Sequence, residues 1–543
     1  MSLLRNDFVF ALFVTAIGIA VSQFLSLGLP ATGIDDAAIS MSYAENIANG
    51  HGYVYNIGGE RVEGSTSFLW TCILTLAFYF FSSPNMAILL ITATLTFIAV
   101  WSALGITRQL ALAVDAPEDS SVWVAGIAML GAPGFFLWST WSQMEVGLWS
   151  GLLLFFVYQL VLMLNVEGYP SPNRLGVTLV ACLLPLVRPE GVAVTIGLLA
   201  VSALVGAGHR RQFFLPAIAA VMSFSALLIF RILYFGQPWP NTFYAKVSAD
   251  RLQTFVDGAK YVLSFLLQMP FVEIYVGLWV LVTLWALLSS WDKGRCFFPP
   301  AATVGGFCLC YAALGGDHFA LWRFLQPLTP LLAVPAALIF GQLIQLTLQR
   351  SDAIARSAAA RILLVGIGIM VAVLPGWMHY HQKRFDVIKE YRIAQRGVAF
   401  GTVLDQFSPK PVIGVGPAGG IALGYNGEIL DLLGLNWTEM AHANPIKTGT
   451  RNLASFDPDV FWNRQPDIVA EFKRACEGGG FKLWSAADYF KGLYWSPQFQ
   501  QAYKPVLIRK DQECWPVFIK NDWSGQTNQA DIEEIPWNKV QLN

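Results

Sequence analysis

Residues 8–37 read FVFALFVTAIGIAVSQFLSLGLPATGIDDA, an apolar run followed by a glycine and proline turn and then by two adjacent carboxylates, Asp35 and Asp36. About twenty apolar residues cross a bilayer as a helix, so the run is long enough to span. Acids just beyond such a run stand at the membrane boundary, where an ionisable side chain is costly unless solvated or paired, and clusters there point to function. Apolar sequence resumes only at Phe68, leaving a polar first loop, 29–67, that also carries Glu60, Arg61 and Glu63.

The whole chain fits that beginning. It has 543 residues, 55% of them hydrophobic and 13% charged, with a net charge of −1. Soluble domains rarely combine such values, and there is no basic excess to attract nucleic acid. The first apolar run lacks a small-residue cleavage site, so it is read as an uncleaved anchor. Further apolar runs at 86–107, 121–137, 146–164, 175–187, 189–206, 212–234, 272–290, 297–314, 324–347 and 361–378 bring the expected transmembrane helices to about eleven, while 67–82 is ambiguous. The fold class expected is a polytopic α-helical membrane domain, 1–378, followed by a soluble α/β domain, 379–543, polar and long enough to bury its own core. Cys476 and Cys514 are the only cysteines of that second domain, and they suit a disulfide if it faces an oxidising compartment.

Charge sets the expected orientation. With the amino terminus inside and 67–82 not crossing, alternate loops carry Arg108, Arg174, His209-Arg210-Arg211, Lys293 with Arg295, and Arg350, Arg356 and Arg361, as the positive-inside rule requires. The same parity sends the first loop, the segments around Glu145, Arg188, Lys246 and Asp317, and the carboxyl-terminal domain to the outer face. The unusual polar residues therefore converge on one side of the membrane.

Each has an ordinary reading beside a chemical one. Asp35 and Asp36 open a helix with Ile39, Tyr43 and Ile47 at helical spacing, expected to lie along the membrane surface; one carboxylate caps it and the other is left over for general-base work or a cation. The segment from His51 to Gly59 reads as a strand and glycine turn that positions Glu60, Arg61 and Glu63. Arg188, between Pro185 and Pro189 at a helix break, needs an anion, either the neighbouring Glu190 or a phosphate gripped by two parallel bonds. Lys246, in a loop with Trp239, Asn241 and Tyr244, is either an interfacial anchor or a cation for a ligand. Asp317, His318 and Arg323 form either a surface ion cluster or part of a site, and Glu145 opens a helix whose first amides it could satisfy. HExxH, P-loop, CxxC and GxSxG motifs are all missing, and the glycine loop at 412–420 lacks dinucleotide spacing.

Taken together, Asp35-Asp36, the loop from Gly58 to Gly64, Arg188-Pro189-Glu190-Gly191, Pro240-Asn241-Thr242-Phe243-Tyr244-Ala245-Lys246, Gly315-Gly316-Asp317-His318 with Arg323-Phe324, and Asp431 to Asn436 form a pattern. It resembles the integral-membrane glycosyltransferases of the GT-C class, and within it the mycobacterial-type terminal arabinofuranosyltransferases. Ala38 departs from the larger aromatic residue expected there, and Gln143-Met144-Glu145 from Gly-Leu-Glu. The resemblance implies an enzyme of the bacterial inner membrane that takes a sugar, arabinofuranose by family likeness, from a polyprenyl-phosphate donor. It would transfer the sugar with inversion to a glycan or glycoprotein acceptor at the outer face. Asp35, rather than Asp36, would be the base; Arg188, Lys246, His318 and Arg323 would hold the phosphate. His51, Glu63, Glu145, Glu190, Asn241, Tyr244 and Asp317 would bind substrate. The sequence does not decide on a cofactor; acids beside a phosphate could hold Mg²⁺ or Ca²⁺. A transporter or flippase of lipid-linked sugars is the rival, since such proteins also place charges at helix breaks.

Overall fold

The computed structural model describes residues 2–164, 174–289, 291–350, 358–447, 455–470, 476, 481–483 and 490–542. Two compact units form, one from Met1–Leu29, Ile88–Leu227 and Phe255–Asp386, the other from Pro30–Ala87, Leu228–Thr254 and Val387–Asn543. Composition sets the domain boundary at 378/379, but that point lies inside one continuous helix, Ala358–Leu404. Packing, not polarity, divides the chain, and the polar first loop goes with the carboxyl-terminal segment.

Among the described residues six helices are long and apolar enough to cross a membrane: Asn6–Leu25, Pro84–Ala113, Val146–Leu164, Arg210–Phe235, Arg295–Leu314 and Arg323–Thr347. Glu118–Leu130 with Pro133–Trp141, and Arg251–Gln268 with Val272–Trp285, are pairs bent by 73° and 97°, which bring the number to eight if each is one broken span. The chain is thus a multi-pass membrane protein. Arg174–Val187 and Gly191–Val205 fall short of a spanning helix because the chain breaks between them. Phe68–Phe80 has 13 residues, about 20 Å of helix against a hydrocarbon core of about 30 Å. Of the loop cations used to orient the chain, Arg356 lies outside the described residues, and Arg108 is not in a loop. It sits inside Pro84–Ala113, its Nε and Nη2 donating to the two Asp7 oxygens at 2.6 and 2.7 Å.

The second unit is built on a sheet. Strands β1 (Ile413–Val415), β2 (Ile429–Asp431), β3 (Ile468–Ala470), β4 (Lys482–Leu483), β5 (Tyr503–Lys510), β6 (Glu513–Lys520), β7 (Asp531–Glu534) and β8 (Gln541–Leu542) give a six-stranded sheet in the order β2-β1-β3-β6-β5-β7, with β4 paired to β8. β1 runs parallel to both β2 and β3, and the remaining pairings of the large sheet are antiparallel. Side chains of a strand alternate between faces, and two apolar layers result. Ile413, Val415, Ile468, Val517 and Ile519 pack with Phe400 and Leu404 of the long helix and with Phe407 just beyond its end. Leu430, Val469, Leu507 and Phe518 pack on the opposite side with Phe461, Phe499 and Tyr503. Cys476 and Cys514 are joined in a disulfide with Cα atoms 5.5 Å apart.

The first loop contributes to the first of these layers. Ile39, Tyr43, Tyr53, Tyr55 and Val62 are all buried in it, which corrects the expectation that Ile39, Tyr43 and Ile47 face a membrane surface. Burying three tyrosines means placing three hydroxyls. Tyr43 Oη donates to Val62 O at 2.8 Å and accepts from Gly64 N at 2.9 Å, Tyr53 Oη meets Ser65 Oγ at 2.7 Å, and Tyr55 Oη donates to Ala418 O.

Glu63 is buried too, and its partner is a residue the sequence reading passed over. Arg231, a cation set among apolar side chains near the end of Phe214–Phe235, donates Nε and Nη2 to the two Glu63 oxygens at 2.7 and 2.9 Å. The side chains are 1% and 2% exposed. Removing one partner of such a pair leaves an uncompensated buried charge, at a cost of roughly 3–5 kcal/mol. Arg231→Leu is therefore expected to lower the thermal unfolding midpoint sharply, whereas Glu63→Gln combined with Arg231→Met recovers most of it. Equal midpoints for the single and double variants would contradict the pairing.

Candidate active site

The helix Asp35–Ala48 begins after Ile34, whose backbone is extended, and no side chain caps it. Neither aspartate is the cap the spacing suggested; both stand in the first turn, where their charge also suits the helix dipole. Their environments differ. Asp35 is 6% exposed, and its Oδ1 accepts from Gly420 N at 2.8 Å and its Oδ2 from Gly419 N at 3.1 Å. Burial pushes its carboxyl up to about 6 against the pull of those amides, and the charges of Asp36 and Asp431 add to the rise. Asp36 keeps 23% of its side chain exposed, with Oδ2 3.9 Å from Lys246 Nζ, itself 24% exposed.

Lys246 ends the short helix Asn241–Lys246, which Asn241 anchors. The Asn241 amide nitrogen donates to Gly434 O at 2.7 Å and Leu435 O at 3.1 Å, while its backbone N–H donates to Glu63 O at 2.9 Å. That last bond ties the first loop to the helix carrying Lys246, because Asn241 N and Glu63 O belong to segments far apart in sequence. Asp431, at the end of β2, is completely buried; Asn436 N and Nδ2 donate to its Oδ2, both at 2.9 Å, and Leu433 N to its Oδ1 at 3.0 Å. Burial lifts it to about 6 as well, opposed by these bonds and by Lys246. Tyr244 is half-buried, its ring centroid 4.2 Å from that of His442. His51 is exposed, its backbone N–H closing the helix end on Asn46 O.

The other expected residues belong to the first unit. Arg188, at the break after Val187, donates Nε to Glu190 Oε1 at 2.5 Å and Nη1 to Glu145 Oε1, with its guanidinium 4.5 Å from the Phe324 ring centroid. Tyr311 Oη donates to Glu190 Oε1 at 3.0 Å. The anion Arg188 needs is thus supplied twice over by carboxylates. Arg323 donates Nε to Asp317 Oδ2 at 2.7 Å, and rings of Phe319 and Phe324 lie 4.3 and 4.7 Å from its guanidinium carbon. His318 Nδ1 is 3.4 Å from Asp317 Oδ1, and the ring is about one-third exposed, at 34%. Leu321 and Trp322, just before Arg323, have φ of +61° and +48°, and Gln143, beside Met144 and Glu145, has +56°. Such left-handed non-glycine backbone costs energy and gathers at functional sites. A π-helical turn at Leu137–Trp141 leads into the same segment.

The expected residues therefore fall into two groups. Asp35, Asp36, Glu63, Asn241, Tyr244, Lys246 and His51 lie in the second unit, and Glu145, Arg188, Glu190, Asp317, His318 and Arg323 in the first. Sequence reasoning gave no role to Arg231, Asp431, Gly419 or Gly420. A lone arginine in an apolar run was a usable signal for the first; the others depend on pairings that only folding creates. Among the described residues no group of three or more His, Cys, Asp and Glu side chains is arranged to hold a metal ion. Asp35 has both oxygens on backbone amides, so the Asp35-Asp36 pair is a poor donor set for the Mg²⁺ or Ca²⁺ considered from sequence.

No protein-family model matches the sequence, and no curated protein matches it either. Solved structures do match in fold. ArnT from Cupriavidus metallidurans bound to undecaprenyl phosphate superposes with a TM-score of 0.56 at 13% identity, covering 95% of this chain and 99% of that one. The archaeal oligosaccharyltransferase AglB from Archaeoglobus fulgidus, in complex with an inhibitory peptide and a dolichol-phosphate, gives 0.52 at 12% identity, covering 97% and 76%. The expected GT-C architecture, a multi-pass helical part followed by a sheet domain, is the fold of this chain.

The raised carboxylates set a pH dependence. A carboxyl at about 6 when folded and about 4 when unfolded binds more protons in the folded state between those values. Its contribution to stability is then full below about pH 4 and is lost as the pH rises through about 6. The thermal midpoint of the wild type is expected to fall across that window more steeply than that of Asp431→Asn, which lacks one of the two groups. Parallel profiles would refute the assignment.

Proposed function

We propose that this protein is a glycosyltransferase that moves a sugar from a polyprenyl-phosphate donor to an acceptor hydroxyl. The observation that carries the reading is the Asp36–Lys246 pair, a carboxylate and an ammonium 3.9 Å apart, both partly open to solvent. The shared fold supports it, because the neighbours were solved with undecaprenyl phosphate and with a dolichol-phosphate. Membrane-spanning helices suit a donor whose tail stays in lipid.

In this reading Asp36 is the base, not Asp35, whose oxygens both accept from backbone amides. Asp36 takes the proton of the acceptor hydroxyl as its oxygen attacks the anomeric carbon. The new C–O bond forms on one face of the sugar while the bond to the lipid phosphate breaks on the other, its electron pair leaving with the phosphate, so configuration inverts. Lys246 supplies the cation. Its contact with Asp36, at 3.9 Å, is looser than the Arg188–Glu190 and Arg323–Asp317 pairs at 2.5 and 2.7 Å. An ammonium on a flexible stem reaches a phosphate readily, and charge fixed near the leaving group stabilises the transition state. Arg188 and Arg323, matched by carboxylates, stiffen their own segments. Glu145, Glu190 and Asp317 then serve as their counter-ions. Of the expected substrate set, Tyr244, half-buried beside His442, and the exposed His51 carry rings suited to a sugar. Arabinofuranose is the sugar favoured by family likeness alone, and a cell-envelope glycan or glycoprotein the acceptor. The disulfide supports an extracytoplasmic second unit, and a place in the bacterial inner membrane follows the family likeness.

Purified protein incubated with a panel of polyprenyl-phosphate sugars is expected to release free lipid phosphate with one of them. Asp36→Asn should lower that rate by about 10²–10⁴-fold with the fold intact, and Lys246→Met by about 10²-fold or more. Normal turnover in Asp36→Asn would remove it from the chemistry; lipid-linked sugar carried across vesicles without cleavage would favour a flippase.

A further inference from the structure

We propose that Asp35 is a positioning residue: the Gly419 and Gly420 amides grip its carboxylate and so set the direction of Asp36. The inference rests on the reading of Asp36 as the base. β1 lies between two parallel neighbours, β2 and β3, and the loop that follows it, Gly416 to Gly420, leaves the sheet at the carboxyl end of that strand. In open α/β sheets this is where backbone amides collect anions. Here the anion is the chain's own. One amide donates to each Asp35 oxygen, at 3.1 and 2.8 Å, so the carboxylate is fixed in position and in rotation.

The glycines make the approach possible. A Cβ on Gly419 would stand 1.7 Å from the Asp35 carbonyl oxygen and 3.0 Å from its carboxyl carbon, and one on Gly420 would stand 2.1 Å from Ala394 O. Backbone cannot yield as a side-chain tip would, so any larger residue pushes the loop and the helix start apart. Tyr55 Oη donates to Ala418 O and steadies the loop from the other end. Because Asp35 and Asp36 share the first turn of the helix Asp35–Ala48, holding one side chain orients the backbone that carries the other. The sheet domain thereby becomes part of the catalytic apparatus. Misplacing a reacting group by about 1 Å costs about 10²-fold in rate, which is the size of effect to look for.

The test uses the full-length protein in nanodiscs with two readouts. Amide hydrogen exchange at 419–420 and over the first turn after Asp35 reports the grip, and lipid-phosphate release reports turnover. Asp35→Ala and Gly419→Ala are expected to raise exchange at both places and to lower kcat about 10²-fold, with KM for the lipid donor little changed and no recovery when formate is added. Asp36→Ala should keep wild-type exchange and regain turnover with formate, a small base that fills the vacated place. Unchanged exchange in Asp35→Ala, or formate rescue of Asp35→Ala matching that of Asp36→Ala, would overturn the proposal. If Asp35→Ala is not recovered folded, Gly419→Ala, which keeps the carboxylate, decides by the same measurements. Should the wild type release lipid phosphate from no donor, the transferase reading fails, while the exchange data still judge whether Asp35 is held.

Discussion

A carboxylate taken out of water keeps its charge only if hydrogen-bond donors or a counter-charge replace the solvent, and this constraint organises the polar half of the molecule. Buried acids answer it in different ways. Asp35 takes two backbone amides, Asp431 takes an asparagine and two amides, Glu63 takes a bidentate arginine, and Asp317 takes Arg323 with His318 nearby. Each partner comes from a segment that must be in place before the acid can be buried. Asp36, partly exposed beside Lys246, keeps water on part of its carboxylate.

The same constraint changes what the arginines can do. A guanidinium at a helix break attracts an anion, and from sequence a phosphate and a carboxylate compete for that place. At Arg188 two glutamates fill it, and the Phe324 ring covers one face. At Arg323 an aspartate and two rings do so. These side chains are held rigidly by partners, as suits a scaffold under strain; the left-handed residues Leu321, Trp322 and Gln143 beside them are the visible sign of that strain. A more loosely paired lysine is better suited to change partners during a reaction.

The first loop is a structural element of the second unit, although polar sequence between two apolar runs looks like solvent-exposed loop. Its tyrosines enter the apolar layer of the sheet, Asn56 exchanges hydrogen bonds with Ile429 through its side-chain amide, and Gly64 N donates to the Tyr43 hydroxyl. Aromatic residues within polar sequence were the clue, since tyrosine buries its ring as readily as it exposes its hydroxyl.

The sequence by itself determined that this is a multi-pass membrane protein with a carboxyl-terminal α/β portion, because apolar length and period are local properties that no later folding can alter. It also determined which short motifs stand out, including the Asp35-Asp36 pair and the segment ending in Lys246. Tertiary structure alone decided the different surroundings of those two aspartates. Identical side chains at adjacent positions have the same intrinsic chemistry, and only the arrival of Gly419 and Gly420, hundreds of residues away, buries one and leaves the other partly open. Long-range pairing likewise decided that Glu63 has Arg231 for a partner and that Arg188 holds Glu145 in addition to its neighbour Glu190. Spacing along a chain fixes what lies within a few turns of a helix; it carries no record of which distant backbone will supply a donor.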